Sequence, residues 1–309
     1  MAGPSPERRR RALHYALVVP LRVALLVLAG LVIMFAAFQR RYIYYPMRGD
    51  PAAFAAAAGR AGLAAWSDAR GRTIGWRTRR SLLAPPQCRA VVFHGNAGFA
   101  LHRLYFVDGL SAAGEGLDWE VLLFEYPGYG AREGTPSESA IQAAAEEAVQ
   151  SLLAENDKPL FLVGESLGCG VAAHLAARFP ARIAGLFLVT PFTRLADIAA
   201  HHYPFLPVRW LLREKYDAAS DLARFAGPVA VLLAGRDEVI PPRLGRALFD
   251  GYAGPKRLWV QEEAGHNSLD YEPGAGWWRE VANFLVESVA PPALPDAAAG
   301  TTNSFTGVK

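Results

Sequence analysis

The sequence is poor in cysteine, which limits the ways in which it can be stabilised or bind metal. Cys88 and Cys169 are the only two cysteines among 309 residues. Cys88 precedes a predicted strand, whereas Cys169 follows a motif expected at a strand's far end, so we expect roughly 15–20 Å between them, too far for a disulfide. Neither has partners at metal-ligand spacing. The sequence therefore predicts two buried or semi-buried thiols, and we expect no metal and no cofactor.

The folded body of the chain also lacks an excess of positive charge. Residues 1–48 hold eight arginines and a single acid, Glu7, which leaves 24 basic and 28 acidic residues in the rest. A nucleic-acid-binding protein usually presents a basic patch on its folded body. The mildly acidic body therefore argues against nucleic acid as a partner.

A long apolar run follows the first arginines. Val23–Phe38 has 16 residues without a charge or a proline, and extension to 17–39 gives the length of a bilayer span. Four arginines precede the run and two follow it closely, which favours a cytoplasmic N-terminus with the main domain outside. The residues after the run, AAFQRR (36–41), fit a signal-peptidase site poorly. We predict a single-pass anchor, with a cleaved signal peptide and a buried core helix as alternatives.

Short apolar segments alternate with helical segments through most of the remaining chain. The predicted strands are Ala90–Phe93, Val121–Phe124, Leu160–Val163, Ile183–Val189, Val229–Leu233 and Arg257–Val260. The predicted helices are 99–113, Ser137–Leu153, Leu167–Arg178 and Trp277–Val289. Such alternation indicates a mostly parallel sheet with helices on both faces. An alanine-rich helix at 50–62 and a hairpin of Leu63–Ser67 with Thr73–Arg79 are expected before it.

The alternation stops between residues 193 and 217. The segment contains two adjacent histidines and several large apolar side chains, namely His201, His202, Tyr203, Phe205, Trp210 and Leu211. An apolar insertion that follows a strand end is expected to lie over a site at the carboxyl edge of the sheet. We predict a small cap, with an ordinary pair of surface helices as the alternative. The two histidines have no acidic or cysteine partner at metal-ligand spacing.

The motif Gly164-Glu165-Ser166-Leu167-Gly168 matches G-x-S-x-G and joins a predicted strand to a predicted helix. In this setting the serine occupies a sharp, strained turn, and the glycines remove side chains that would collide with nearby backbone. The hydroxyl then lies at a helix N-terminus, where amide groups and the helix dipole favour developing negative charge. We therefore predict that Ser166 is a catalytic nucleophile.

A serine hydroxyl needs a general base, and His266 is the candidate. It follows the last predicted strand and is the only histidine C-terminal to the predicted cap. An acid must then fix the histidine's tautomer and stabilise its charged form. Asp237 follows a predicted strand end, 71 residues after Ser166 and 29 before His266. Alternative acids are the adjacent Glu238 and the more distant Asp197 and Asp270.

Two backbone N–H groups should stabilise the oxyanion formed during acyl transfer. The amide of Leu167, directly after the nucleophile, is one candidate. The second should come from the loop after the first parallel strand, HGNAG (94–98). We predict the amide of Asn96 as the second donor, with Ala97 as the alternative.

Taken together, the motifs resemble those of the α/β-hydrolase superfamily, and more narrowly the Bem46/ABHD13-like family of membrane-anchored serine hydrolases. They are RYIYYP (41–46), HGNAG (94–98), YPGYG (126–130), GESLG (164–168), GRDEVIP (235–241) and GHN (265–267). The likeness covers about residues 20–290 and implies the α/β-hydrolase fold with Ser166, Asp237 and His266 as its triad. Its relatives include lipid hydrolases and protein depalmitoylases, so the likeness does not specify a substrate.

The sequence thus predicts a membrane-anchored hydrolase that cleaves an acyl ester or thioester, with the anchor and the apolar cap favouring a lipid-like acyl chain. A serine peptidase of the same fold and a non-catalytic membrane-tethered scaffold are the alternatives. We expect a basic arm at 1–16, the anchor at 17–39, the hydrolase domain at 40–290 with its cap at 193–217, and a disordered tail at 291–309.

Overall fold

An eight-stranded sheet and a projecting N-terminal helix make up the fold in this computed structural model, which describes residues 6–79, 86–113 and 118–289. The tail expected at 291–309 lies outside the described residues. The strands are β1 (Tyr45–Pro46), β2 (Leu63–Ser67), β3 (Thr73–Thr78), β4 (Cys88–Phe93), β5 (Ala97–Gly98), β6 (Trp119–Phe124), β7 (Leu160–Glu165), β8 (Ile183–Val189), β9 (Val229–Ala234) and β10 (Lys256–Gln261). The helices are α1 (Pro6–Leu13), α2 (Val19–Ile43), α3 (Pro51–Arg60), α4 (Leu104–Ala113), α5 (Glu138–Glu155), α6 (Leu167–Arg178), α7 (Leu195–His202), α8 (Val208–Leu211), α9 (Ala218–Leu222), α10 (Pro242–Gly251) and α11 (Gly276–Glu287).

The strand order in the sheet is β10-β9-β8-β7-β4-β6-β3-β2. β3 pairs antiparallel with β2 and β6, and every other neighbouring pair is parallel. This confirms the mostly parallel sheet and the N-terminal hairpin. Because the carboxyl ends of parallel strands share one edge, the loops after β4, β7, β9 and β10 all meet there.

Each face of the sheet buries its own apolar layer. Along β4, Val91 and Phe93 pack into one layer with residues of α5 and α6, whereas Ala90 and Val92 pack into the other with residues of α4 and α11. Successive side chains of a strand point to opposite faces, so a strand that is apolar at consecutive positions needs a cover on both sides. The helices supply that cover, as the alternation of strands and helices predicted.

α10 is a helix that the sequence pattern did not indicate, and several strands are longer than expected. α10 begins with Pro242, a residue that suits the first turn of a helix but resembles a helix breaker in sequence. β4 begins two residues earlier than expected and includes Arg89, which is fully buried. Its guanidinium donates hydrogen bonds to the carbonyl oxygens of Leu152, Asn156 and Lys158. The tertiary fold therefore pairs both terminal nitrogens of a charged residue that sequence patterns assign to the surface, and leaves only its Nε without a partner among the described residues.

The predicted anchor forms a continuous projecting helix. α1 leads through a π-helical turn at His14–Val18 into α2, and His14–Ile43 is long and apolar enough to cross a membrane, with a mean hydropathy of 2.6 over its most apolar 18 residues. None of its most apolar window is buried in the protein, so the alternative of a buried core helix is wrong. The helix continues to Ile43, four residues beyond the expected end of the span.

The two thiols are free and buried, as the sequence predicted. Burial raises the pKa of Cys88 to about 11. Cys169 lies beneath the serine turn, where its thiol donates to the carbonyl oxygens of Gly164 and Val189, and burial raises its pKa well above the ordinary value. Both cysteines therefore act as small apolar side chains of the core.

The packing of α11 on α4 leads to a stability prediction. Trp278 is fully buried, and its ring fills the space that a side chain at Gly109 would need. Trp278→Ala is expected to lower the free energy of unfolding by about 3–5 kcal/mol, because it leaves a cavity in the core. Asn283→Ala, at an exposed position of the same helix, should change it by less than about 0.5 kcal/mol. Thermal unfolding in detergent micelles measures both, and equal stability of the two variants would contradict the packing.

Candidate active site

Ser166 lies on a strained turn between β7 and α6. Its backbone has φ 53° and ψ −118°, a conformation that residues with a side chain rarely adopt. A Cβ at Gly168 would lie 2.0 Å from the carbonyl oxygen of Phe93, and one at Gly164 would lie 2.6 Å from the Cα of Cys169. The two glycines are therefore required for the start of α6 to approach β4 and for the turn to close.

His266 and Asp237 lie in line with this serine. The Nε2 atom of His266 is 3.2 Å from Ser166 Oγ, and its Nδ1 atom is 2.8 Å from Asp237 Oδ2. A carboxylate only accepts hydrogen bonds, so Nδ1 carries the hydrogen and Nε2 is left to accept from the serine hydroxyl. The three side chains that the sequence analysis chose are thus brought together at the carboxyl edge of the sheet.

Asp237, rather than its neighbour Glu238, contacts the imidazole. The backbone amides of Val239 and Ile240 donate to Asp237 Oδ1 at 2.9 and 2.7 Å, which leaves Oδ2 directed at His266. Glu238 instead accepts a hydrogen bond from the backbone amide of His266 at 3.3 Å. The other two candidate acids, Asp197 and Asp270, bond to residues away from the imidazole.

The two predicted oxyanion donors border the same cavity as Ser166. Leu167 and Asn96 both line it, and within the described parts of the chain neither backbone N–H donates a hydrogen bond. Two carbonyl oxygens of the HGNAG loop are engaged by tyrosines that do not line the cavity: Tyr126 Oη donates to His94 O and Tyr129 Oη donates to Asn96 O, each at 2.7 Å. The arrangement suits two preorganised donors.

Tyr126 and Tyr129 hold the HGNAG loop beside the candidate nucleophile, a part that the sequence patterns did not indicate. Both are buried and belong to the YPGYG turn, which was identified only as a family motif. A tyrosine with an apolar ring and a single polar group often indicates a buried hydrogen bond. That signal was present in the sequence, but the acceptor carbonyls could not be named without the fold.

Glu165 occupies the first x position of the G-x-S-x-G motif, between Gly164 and Ser166. It connects the serine turn to the HGNAG loop. Its carboxylate accepts hydrogen bonds from Arg103 Nε at 2.6 Å and from Tyr105 Oη at 2.9 Å, and the amide of Gly95 approaches it at 3.4 Å. Burial alone would raise the pKa of Glu165, but the charge and hydrogen bonds of Arg103 outweigh burial and hold that pKa below its usual value. The ionised carboxylate therefore stabilises both loops.

The cavity beside Ser166 has a volume of about 220 Å³ and mostly apolar walls. The segment 193–217, which we call the cap segment, contributes Leu195, Ile198, Ala199, His202, Tyr203 and Leu212 to its lining. His202 Nε2 also contacts the carbonyl oxygen of Val239 at 2.8 Å. A larger cavity of about 850 Å³ lies near β3 and the YPGYG turn, but no triad residue lines it.

The chain is similar to known proteins in sequence and in fold. A family model of the alpha/beta hydrolase fold matches residues 91–208. An uncharacterized protein of Mycobacterium tuberculosis is 35% identical over 286 residues, which cover 91% of this chain and 97% of that protein. The lysophosphatidylserine lipase ABHD12 of Danio rerio is 32% identical over 212 residues, which cover 62% of this chain and 54% of the lipase.

Solved structures share the fold at low sequence identity. The esterase Pf2001 of Pyrococcus furiosus superposes with a TM-score of 0.58 at 14% identity, covering 80% of this chain and 98% of the esterase. Est1E of Butyrivibrio proteoclasticus, solved with ferulic acid bound, superposes with a TM-score of 0.59 at 17% identity, covering 74% of this chain and all of the other.

The chain belongs to the α/β-hydrolase superfamily, which confirms the superfamily and the fold that the motifs indicated. The lipase among its relatives supports classing it as an ester hydrolase. The narrower likeness to the Bem46/ABHD13-like family stays a prediction.

The backbone of Ser166 leads to a second stability prediction. Ser166→Gly should be more stable than Ser166→Ala by about 1 kcal/mol, because only glycine adopts this backbone conformation without strain. Inside α6 the order should reverse, so that Ala173→Gly costs about 1 kcal/mol or more relative to the unchanged protein. Thermal unfolding of the three variants measures the difference. Equal stability of the two position-166 variants would show that the turn stores no strain.

Proposed function

We propose that this protein is a serine hydrolase that cleaves an acyl ester or thioester. The observation that carries the proposal is the line of contacts from Asp237 Oδ2 through the imidazole of His266 to Ser166 Oγ, at 2.8 and 3.2 Å. The side chain of Asp237 is almost completely buried. A buried carboxylate, an imidazole and a hydroxyl in this order match the requirements of nucleophilic acyl transfer.

In the proposed mechanism, Ser166 Oγ attacks the carbonyl carbon of the substrate while His266 Nε2 takes the hydroxyl proton. Asp237 orients the imidazole and stabilises its positive charge. The tetrahedral oxyanion accepts hydrogen bonds from the amides of Leu167 and Asn96. His266 then protonates the leaving group, which departs and leaves an acyl-enzyme. Water activated by His266 attacks this intermediate and releases the acid.

The proposed substrate carries a lipid-like acyl chain. Support comes from the apolar walls of the cavity beside Ser166 and from a relative that is named as a lysophosphatidylserine lipase. An apolar cavity with a few convergent polar groups is the usual form of a site for a mainly apolar ligand. The cap segment would then cover the acyl chain during the reaction.

We also propose that α2 anchors the enzyme with its N-terminus in the cytoplasm and its catalytic domain outside. The helix His14–Ile43 fits a membrane anchor by length and hydropathy. More arginines precede its apolar run than directly follow it, and positive charge favours the cytoplasmic side. On the same grounds we propose that residues 17–39 form the anchor and that residues 40–290 form the hydrolase domain.

The nucleophile can be tested with a fluorophosphonate probe, which labels activated serines covalently. Ser166→Ala should abolish labelling and lower kcat/KM for an acyl ester by roughly 10³–10⁶-fold, because the attacking hydroxyl is lost. Ser220→Ala, which removes an exposed hydroxyl elsewhere, should label like the unchanged protein. Labelling of the Ser166→Ala variant would move the nucleophile to another residue. Turnover of peptides without turnover of esters would favour a peptidase instead.

The acid can be tested by a matched pair of neighbouring substitutions. Asp237→Asn should lower kcat by about 10³–10⁴-fold, since an amide facing Nδ1 favours the wrong imidazole tautomer. Glu238→Gln should lower it by no more than about tenfold, because only a weak hydrogen bond to the His266 backbone is affected. Steady-state kinetics on one ester measures both variants, and the opposite ranking would assign the acid to Glu238.

A further inference from the structure

The end of the anchor helix forms part of the cavity that contains Ser166. Phe35, Gln39, Tyr42 and Ile43 of α2 line this cavity together with Ser166 itself. Phe35 lies four residues before Gln39, and Tyr42 and Ile43 lie three and four residues after it. This spacing places the four residues on one face at the end of the helix. The helix that fits a membrane anchor is therefore also a wall of the candidate active site.

Buried polar contacts hold this end of the helix against the catalytic domain. Gln39 is buried, and its Oε1 atom accepts a hydrogen bond from the backbone amide of Arg213 at 2.7 Å. Glu214, also buried, accepts hydrogen bonds from Arg40 Nε and from Tyr44 Oη, both at 2.7 Å. Removal of one partner from such a contact leaves a buried polar group unsatisfied, which costs about 1–3 kcal/mol. These contacts thus hold the end of the helix against the catalytic domain.

The docking fixes the height of the cavity above a bilayer. Arg40 and Arg41 directly follow the apolar run and mark the level at which the helix leaves the hydrocarbon. With a rise of about 1.5 Å per residue, the stretch 35–43 is about 12 Å long in total. Part of it lies on each side of that level. The wall that α2 gives to the cavity therefore begins inside the hydrocarbon, at Phe35, and extends into the headgroup layer.

The cap segment places exposed aromatic rings beside this wall. Phe205 is 98% exposed and Trp210 is 89% exposed. Tyr203 is half exposed, and its ring packs edge to face against Phe35 of the anchor, with centroids 6.4 Å apart. Aromatic side chains that lie next to a spanning helix are typical of the membrane interface, and an exposed apolar patch usually marks a surface that is covered in use. Besides the contact of Tyr203 with the anchor, the carbonyl oxygen of Leu211, the neighbour of Trp210, accepts a hydrogen bond from Gln39 of α2 at 3.4 Å. The patch therefore adjoins the anchor, which favours the bilayer as the surface that covers it.

We propose that the cavity opens toward the bilayer between the end of α2 and the cap segment, so that an ester-bearing lipid enters from the membrane without crossing water. Phe205 and Trp210 hold the cap segment in the headgroup layer. Phe35 and Tyr42 contact the acyl chain on its way to Ser166. The catalytic part of this inference rests on the proposed function of Ser166, whereas the position of the cap segment in the bilayer does not.

The position of the cap segment can be measured without catalysis. In vesicles of phosphatidylcholine that carries brominated acyl chains, bromine quenches tryptophans that reach the lipid. Trp210→Phe should remove most of the quenchable fluorescence, whereas Trp278→Phe, at a fully buried position, should leave the quenched component unchanged. Equal quenching of the Trp210→Phe variant and the unchanged protein would overturn the proposed membrane contact. Because quenching needs contact with the lipid but no turnover, this result stands whether or not Ser166 proves to be the nucleophile.

The entrance can be tested with two substrates. Phe205→Ser with Trp210→Ser should lower turnover of a long-chain acyl ester in phosphatidylcholine vesicles by about tenfold or more, because two large apolar side chains no longer favour the bilayer. Turnover of soluble p-nitrophenyl acetate should change little, since neither residue lines the cavity. The conservative double variant Phe205→Tyr with Trp210→Phe should restore most of the vesicle activity. Equal loss on both substrates, or no loss on vesicles, would overturn the proposal.

The wall formed by α2 can be tested in the same assays. Phe35→Ala with Tyr42→Ala should raise KM for the vesicle-borne long-chain ester with little change in kcat, because contacts to the acyl chain are lost away from the reacting bond. Leu26→Ala, at an exposed position earlier in the helix, is the matched control and should leave KM unchanged. An unchanged KM in the double variant, or the same rise in the control, would remove α2 from the substrate path.

Discussion

The site depends on how closely the start of α6 approaches the end of β4. At Gly168 the approach leaves no room for a Cβ, and Ser166 in the same turn adopts a positive φ. This turn lifts the serine hydroxyl above the sheet edge and directs the first amides of α6 toward the cavity. A larger residue at position 168 would force the helix away from β4. The serine and the HGNAG loop would then separate, although every catalytic side chain would still be present.

Several buried polar contacts maintain the geometry around this turn. Glu165 joins the turn to Arg103 and approaches the amide of Gly95. Tyr126 and Tyr129 hold carbonyl oxygens of the HGNAG loop. A site for acyl transfer works best when its hydrogen-bond donors are in place before the charge develops. The side chains around the triad are therefore as important for the proposed chemistry as the triad itself.

The anchor helix and the catalytic domain form one structural unit at their junction. Gln39 and Arg40 belong to the helix, but their partners are Arg213 and Glu214, at the end of the cap segment. A contact across more than 170 residues of sequence requires the complete fold. In the proposed arrangement, membrane attachment and the shape of the cavity are consequently linked, because the end of the helix that fits a membrane anchor also forms the cavity wall.

The sequence by itself determined the elements with a strong local signal. G-x-S-x-G between a strand and a helix indicated Ser166, chain order and loop position indicated Asp237 and His266, and repeated apolar strands indicated a parallel sheet. Local composition was also sufficient for the apolar helix at the N-terminus, because its hydropathy depends on no other part of the chain. α10 was missed because the prolines at its start resemble a loop.

Only the tertiary structure decided which distant groups meet. The choice of Asp237 over Glu238 depends on which carboxylate the loop after β9 turns toward the imidazole, and adjacent acids look alike in sequence. The partners of Tyr126, and the use of Phe35 and Gln39 as cavity wall, depend on contacts between segments far apart in the chain. Periodicity and composition depend only on residues that are close together in the sequence. These contacts arise instead from the packing of whole helices and strands that are far apart in it.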